Sequence, residues 1–150
     1  MRVISFFFIC LSVLLGGCSN HDLEKVERRQ RHLENVNLAN ADLSDLDLKN
    51  VNLSHSNLRS ANLNQTNLSG ATLANVNFQG ASLHKAILTE ANCQGADFIS
   101  ANLEDANFQG ANVTHARFNG ANVRKTDFRG AVGLTDTVKT NFKSKGAIVD

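Results

Sequence analysis

Between Val36 and Gly130 the chain repeats one pattern every five residues, apolar, polar, apolar, polar, polar, through 19 blocks without insertion. The third residue of each block is Leu in the first eight blocks and Phe, Leu, Val or Cys93 thereafter. The first residue is Ala in most blocks, with Val36, Leu46, Val51, Ser56, Thr66, Val76 and Thr126 departing from it, and the second is usually Asn or Asp. Positions one and three therefore face inward and the other three outward. A period of five fits neither the 3.6 of an amphipathic helix nor the 2 of a strand, so the chain must turn a corner once per block. The element predicted is a coil of short edges, a solenoid.

Blocks such as ADLSD, ANLNQ and ANLED resemble the pentapeptide-repeat family, whose motif is Ala-(Asp/Asn)-Leu-x-x, and the resemblance covers 95 of the 150 residues. It implies an all-β solenoid, a right-handed quadrilateral β-helix with four blocks per coil. About 4.75 coils of about 20 residues, stacked at ~4.8 Å, make a rod of roughly 23 Å. Residues 20 apart then lie on one another: Leu38, Leu58, Phe78, Phe98 and Phe118 form one column, Leu48, Leu68, Leu88, Phe108 and Phe128 another. Across these columns Phe gathers toward the C-terminal coils, where position one is mostly Ala, while Val36, Leu46 and Val51 accompany Leu, so volume is roughly conserved per layer. Val76 with Phe78 and Thr126 with Phe128 break that rule. Asn and Asp at position two suit a chain that bends often, because their side chains bond nearby backbone and can stack in ladders. Gly70, Gly80, Gly95, Gly110, Gly120 and Gly130 all fall at position five, as a corner that tolerates positive φ would have it.

The segment before the repeat reads differently. Arg2 precedes an apolar run from Val3 to Leu15, then Gly16, Gly17 and Cys18 follow. This is the layout of a secretory signal, and the run falls short of the roughly 20 residues that a membrane-spanning helix needs. Leu15-Gly16-Gly17-Cys18 resembles the lipobox of bacterial lipoproteins, which implies a diacylglyceryl group on the Cys18 sulfur and cleavage before it. Two or three acyl chains, at about 0.8 kcal/mol per buried CH₂, anchor a protein where one does not. Ser19, in place of Asp, implies the outer membrane, facing the periplasm of a Gram-negative envelope. The expected organisation is a lipoprotein signal over 1–17, a lipidated charged tether or N-terminal cap over 18–35, the repeat coil over 36–130 and a C-terminal cap over 131–150. Solenoid ends need such covers. Leu23, Val26 and Leu33 recur at roughly helical spacing within a charged leader, which reads as a short helix or as a disordered spacer. Leu134, Val138 and Phe142 recur every four residues before Gly146, with Ile148 able to fold back, so a capping helix is expected near 136 to 145.

Composition narrows the chemistry. The net charge of +1, with no Pro, Trp or Tyr and three Cys, excludes a framework of several disulfides and a basic coat for nucleic acid. With Cys10 removed and Cys18 a thioether, Cys93 is the remaining thiol, at a core position above Leu53 and Leu73. His55 and His115 share a face three coils apart, about 14 Å, and His84 sits on another, so they hold no metal together. Glu90, Glu104 and Asp105 are outward, solvated carboxylates without a base or oxyanion partner in register. Ile87 and Ile99 are single outward apolar residues on opposite faces. No phosphate loop, dinucleotide fingerprint or catalytic triad is present, so neither an enzyme nor a cofactor is expected.

Charge is unevenly spread. Asp42, Asp45 and Asp47 lie in the first coil, while residues 117 to 150 carry net +4. Arg117, Arg124, Lys125 and Arg129 are the candidate partner surface, suited to an anionic envelope partner or to end-to-end contact between two copies. An evenly hydrated surface is the plainer alternative. The function read from all this is a non-enzymatic, lipid-anchored scaffold or protein-interaction module of the bacterial cell envelope, with no nucleic acid expected as partner. The alternative, a DNA-mimicking, topoisomerase-binding member of the family, is disfavoured by the export signal. It also needs a strongly negative rod, and residues 36 to 130 carry net −1.

Overall fold

The computed structural model describes residues 32–150. The tether reading of residues up to 31, and the signal and lipobox with Cys18, lie outside the described residues. Every second-position residue bridges, in parallel, the residue 20 further on, from His32 with Asn52 to Asn112 with Val132. Four blocks therefore close each coil. We name the faces by their first complete blocks: A from Val36, B from Ala41, C from Leu46 and D from Val51.

Three hydrogen bonds per block hold coil to coil. Leu38 N–H donates to Asn57 C=O at 2.8 Å, Asn40 N–H to Arg59 C=O at 2.9 Å, and Asn57 N–H back to Val36 C=O at 2.9 Å. A fourth closes the corner, Ala41 N–H onto Leu38 C=O at 3.1 Å. Positions four and five are thus the centre of a β-turn, and the second of them needs φ above zero. Fourteen non-glycine residues adopt it at φ between 55 and 62°. The position-two side chain holds the same turn from outside: Asn77 Oδ1 accepts the Gln79 N–H at 2.9 Å and Asp97 Oδ1 the Ile99 N–H at 3.0 Å. These side chains also rung together, Asn57 Nδ2 to Asn37 Oδ1 at 3.1 Å and Asn122 Nδ2 to Asn102 Oδ1 at 3.1 Å.

Inside, positions one and three fill the tube. Phe78, Phe98 and Phe118 stack with ring centroids 4.9 and 5.1 Å apart, and Phe108 on Phe128 at 5.0 Å. The two stacks meet edge to face, Phe98 to Phe108 at 5.6 Å, the geometry that aromatic quadrupoles favour. Thr126, which the volume rule left unexplained, occupies a valine's space and uses its hydroxyl: Oγ1 donates to Leu103 C=O at 2.7 Å. Thr66 does the same to Leu43 C=O at 2.7 Å and Ser56 to Leu33 C=O at 3.0 Å. Each buried hydroxyl is therefore satisfied at a corner one coil below.

The coil is longer than the motif at both ends. Leu33, read as one residue of a helical spacing, is instead a third-position core residue, 1% exposed, with its N–H bound to Asn52 C=O at 2.7 Å. The regular pattern therefore starts at His32 and not at Val36, because the ladder tolerates His32 where the motif asks for Asp or Asn. At the other end Val132 continues the ladder, donating to Ala111 C=O at 3.0 Å, so the coil also passes the expected boundary at Gly130. The chain then leaves the wall into α1, Asp136–Ser144.

Thr135 caps α1 by accepting the Val138 N–H, Asp136 sits in its first turn and Lys143 in its last, each favourable to the helix dipole. Gly146, at φ 83°, ends it, with Gly146 N–H on Lys143 C=O and Ala147 N–H on Phe142 C=O, a Schellman closure. Phe142 covers the open stacks, 5.4 Å from Phe118 and 5.0 Å from Phe128. Beyond α1 the tail returns to face C, where Ile148 bridges Asp127, 21 residues back instead of 20. Among the described residues no helix is long and apolar enough to cross a membrane.

Candidate interaction surface

A tube whose interior is filled leaves function to its walls. Cys93 is wholly buried in face D, and burial pushes its thiol up to about 12, the opposite of what a nucleophile needs. His55 and His115 are exposed corner residues of the same face. Among the described residues no three His, Cys, Asp or Glu side chains gather to hold a metal ion. Asp136, Thr137, Thr140, Asn141 and Ser144 line a shallow, open depression on the outer side of α1. Nothing in it pairs a base with a nucleophile. Ile87 is 37% exposed on face C and Ile99 is partly buried on face A, so the two outward apolar residues form no patch.

The four residues of the expected basic surface are not brought together. Arg117 lies on face A, Arg124 on face B, Lys125 at the corner between B and C, and Arg129 on face C. Three of them are also neutralised within the wall. Arg117 pairs with Asp97 at 3.3 Å, Arg124 with Glu104, and Arg129 with Asp127 at 2.6 Å. The first two pairs join residues 20 apart, a signal readable in the sequence once the period is known. Among the described residues Lys125 makes no ion pair, and its backbone N–H donates to Gly146 C=O at 2.8 Å, just past the end of α1.

The Asp127 site is the most organised of the three pairs. Arg129 donates through Nε to both carboxylate oxygens, at 3.0 and 3.1 Å, and Gln109 Nε2 adds a bond of 2.6 Å from the coil below. The hydrogen bond from Arg129 leads in holding the Asp127 carboxyl down at about 2, against a partial opposing push from burial. A lowered folded-state value contributes stability above the ordinary carboxylate range and loses it as pH falls toward 2. In Arg129→Ala the Asp127 carboxyl is expected to titrate back near the ordinary range, followed by carboxyl ¹³C shifts. An unmoved midpoint would reassign the effect to Gln109 and the backbone.

Charge otherwise sorts by face. Between Val51 and Thr135, face D carries no Asp, Glu, Lys or Arg in any of its blocks, whereas face B carries Asp42, Asp45, Lys85, Glu104, Asp105, Arg124 and Lys125. Above Glu34 in its lowest block, the rod has one uncharged wall, built mostly from Asn, Thr, Ser, Gln and His side chains, and it has one wall of alternating sign.

A family profile described as pentapeptide repeats matches this chain in eight copies, over residues 32–65, 52–90, 66–105 and 96–132. No curated protein matches it in sequence. Among solved structures it is similar to HetL, a pentapeptide repeat protein involved in heterocyst differentiation regulation from the cyanobacterium Nostoc sp. strain PCC 7120. That match has 29% identity and a TM-score of 0.64, over 77% of this chain and 53% of that one. The chain thus spans about half the length of HetL. It is also similar to Rfr23, a pentapeptide repeat protein from the cyanobacterium Cyanothece 51142, at 27% identity and a TM-score of 0.62, over 87% of this chain and 98% of that one. The family match covers 32–132, the same span over which the bridges keep their 20-residue register. The chain belongs to the pentapeptide-repeat family.

Proposed function

We propose that this protein is a non-enzymatic scaffold of the bacterial cell envelope, tethered by acyl chains on Cys18 and presenting the four walls of its solenoid to a protein partner. The observation that carries the reading is the Leu15-Gly16-Gly17-Cys18 sequence in register behind Arg2 and the apolar run Val3 to Leu15. The filled interior and the inert Cys93 thiol support it, because a scaffold needs stiffness and surface where an enzyme needs a cavity. The right-handed winding implied by the family resemblance and the outer-membrane address implied by Ser19 belong to the same reading.

The test is to express wild type and Cys18→Ala in a Gram-negative host with labelled palmitate and to separate the membranes. Label in the outer membrane for wild type, absent from the variant, is the expected result. Unlabelled wild type in the cytoplasm would overturn the reading and turn attention to cytoplasmic partners of the rod.

A further inference from the structure

Asn119-Gly120 is the one Asn-Gly pair in the chain. It forms the last corner of face A, above which the chain has left the wall for α1. From Asn35 to Gly110 every position-five N–H donates to a carbonyl one coil up, as Gly80 does to Ile99 C=O at 3.0 Å and Gly95 to Thr114 C=O at 2.9 Å. Near the end, Lys125 N–H finds Gly146 C=O and Gly130 N–H finds the Asp150 carboxylate. Gly120 N–H has no partner among the described residues. We infer that Asn119 is a self-modification site, converted to aspartate and isoaspartate by attack of the Gly120 backbone nitrogen, and that the open end of face A singles it out.

The reaction needs an unshielded, unbound nitrogen after the asparagine and a corner able to turn. Gly120 has no Cβ to shield its nitrogen, and both residues of the corner are exposed. Gly120 N attacks Asn119 Cγ and gives its proton to water. The Cγ–Nδ2 bond breaks, ammonia leaves with a proton, and a five-membered succinimide closes. Water then opens the ring. Cleavage at Cγ gives aspartate, and cleavage at the Asn119 backbone carbonyl carbon gives isoaspartate, whose main chain runs through Cβ and Cγ. One water enters, one ammonia departs, and nothing is oxidised or reduced.

Ring closure requires the Asn119 ψ to carry the Gly120 nitrogen toward Cγ, out of the turn, and elsewhere two bonds resist that rotation. One is the upward N–H bond that Gly120 lacks. The other is the clasp from position two, as when Asn92 Oδ1 accepts the Gln94 N–H at 3.2 Å. In the Asn119 block Arg117 stands at position two, without a carbonyl oxygen and drawn to Asp97 at 3.3 Å. The corner is held from beneath, by Ser100 N–H on Asn119 C=O at 2.9 Å, and across, by Ala121 N–H on Phe118 C=O at 3.0 Å. The product matters to the wall. Asp127 and Arg129 meet at 2.6 Å from positions two and four of one block, so a carboxylate at 119 competes with Asp97 for Arg117. Isoaspartate also lengthens the main chain at the corner by one atom.

Peptide mapping of the full chain, aged in mildly alkaline buffer made with H₂¹⁸O, reads the conversion. Residue 119 should take up ¹⁸O and yield both aspartate and isoaspartate. Gln94→Asn places a second Asn-Gly pair, also followed by Ala, in a corner that keeps both bonds. In the folded protein that new site should convert about 10-fold more slowly than Asn119, or slower still. In guanidinium the two should converge, because the difference lies in the fold. Arg117→Asn, which restores a clasp in the Asn119 block, should slow Asn119 about threefold or more. No isoaspartate at 119, equal rates at the two sites in the folded protein, the same disparity in guanidinium, or an Asn119 rate unmoved by Arg117→Asn would each overturn the inference.

Discussion

Phe98→Ala is expected to lower the thermal midpoint by on the order of 10 °C or more, whereas Phe98→Leu should cost only a few degrees. Phe98 is fully buried and stands between Phe78 and Phe118, with Phe108 against its edge. Truncation removes its burial and leaves a void that walls of hydrogen-bonded coils cannot collapse into, about 3–5 kcal/mol in a well-packed core. Leucine is already the occupant of this column at Leu38 and Leu58, so it meets neighbours shaped for stacking in the same register. Circular dichroism melts of the two variants beside wild type check this. A loss under about 2 °C for the alanine variant would mean that the stack closes up, and that the tube is softer than its ladders imply.

Gly133→Ala should detach the C-terminal end while leaving the lower coils folded. Gly133 takes the third position of face D, where Leu33, Leu53, Leu73, Cys93 and Val113 point inward, yet its φ is 97°. A Cβ there would lie 2.4 Å from Thr114 N and 2.5 Å from Thr114 Cα, which are backbone atoms and cannot swing aside. The conformation alone costs roughly 1–3 kcal/mol for any other residue, and the clash adds to it. Because a solenoid coil touches only its neighbours, the damage should be local. Amide exchange is the measurement: protection lost from about residue 128 onward and kept below residue 100 is expected. Uniform loss along the rod would show that the end and the body unfold as one unit.

Much of this architecture is legible in one dimension because the period is short and unbroken. Assigning residues 20 apart to one column already places Phe78 on Phe98 and Asp97 under Arg117. Legibility fails where the motif and the backbone part company. Leu33 keeps its hydrogen bond and its burial although its block begins with Arg31 and has His32 in place of Asn, so the pattern of residue types ends before the pattern of bonds does. Thr126 looks like a misplaced polar residue until its hydroxyl is seen to reach Leu103 C=O. Nothing in the sequence around Gly133 announces that the chain passes close over Thr114 there. The basic residues near the end add up to a patch only when they are summed along the chain. Spread over separate faces, with carboxylates one coil below or in the same block, Arg117, Arg124 and Arg129 spend their charge internally.

The closed count of four blocks per coil also constrains how this rod can change in length. A single block added within it would carry every later residue a quarter of the way round, moving Lys125 off its column and charged residues onto the uncharged wall. A whole coil added or lost would preserve each wall's character. At the C-terminal end α1 relaxes that arithmetic, since the tail regains face C after 21 residues, not 20. Growth in units of twenty, with the helix as the one joint that forgives an odd residue, is the form in which new lengths of this rod could arise without rewriting its surface.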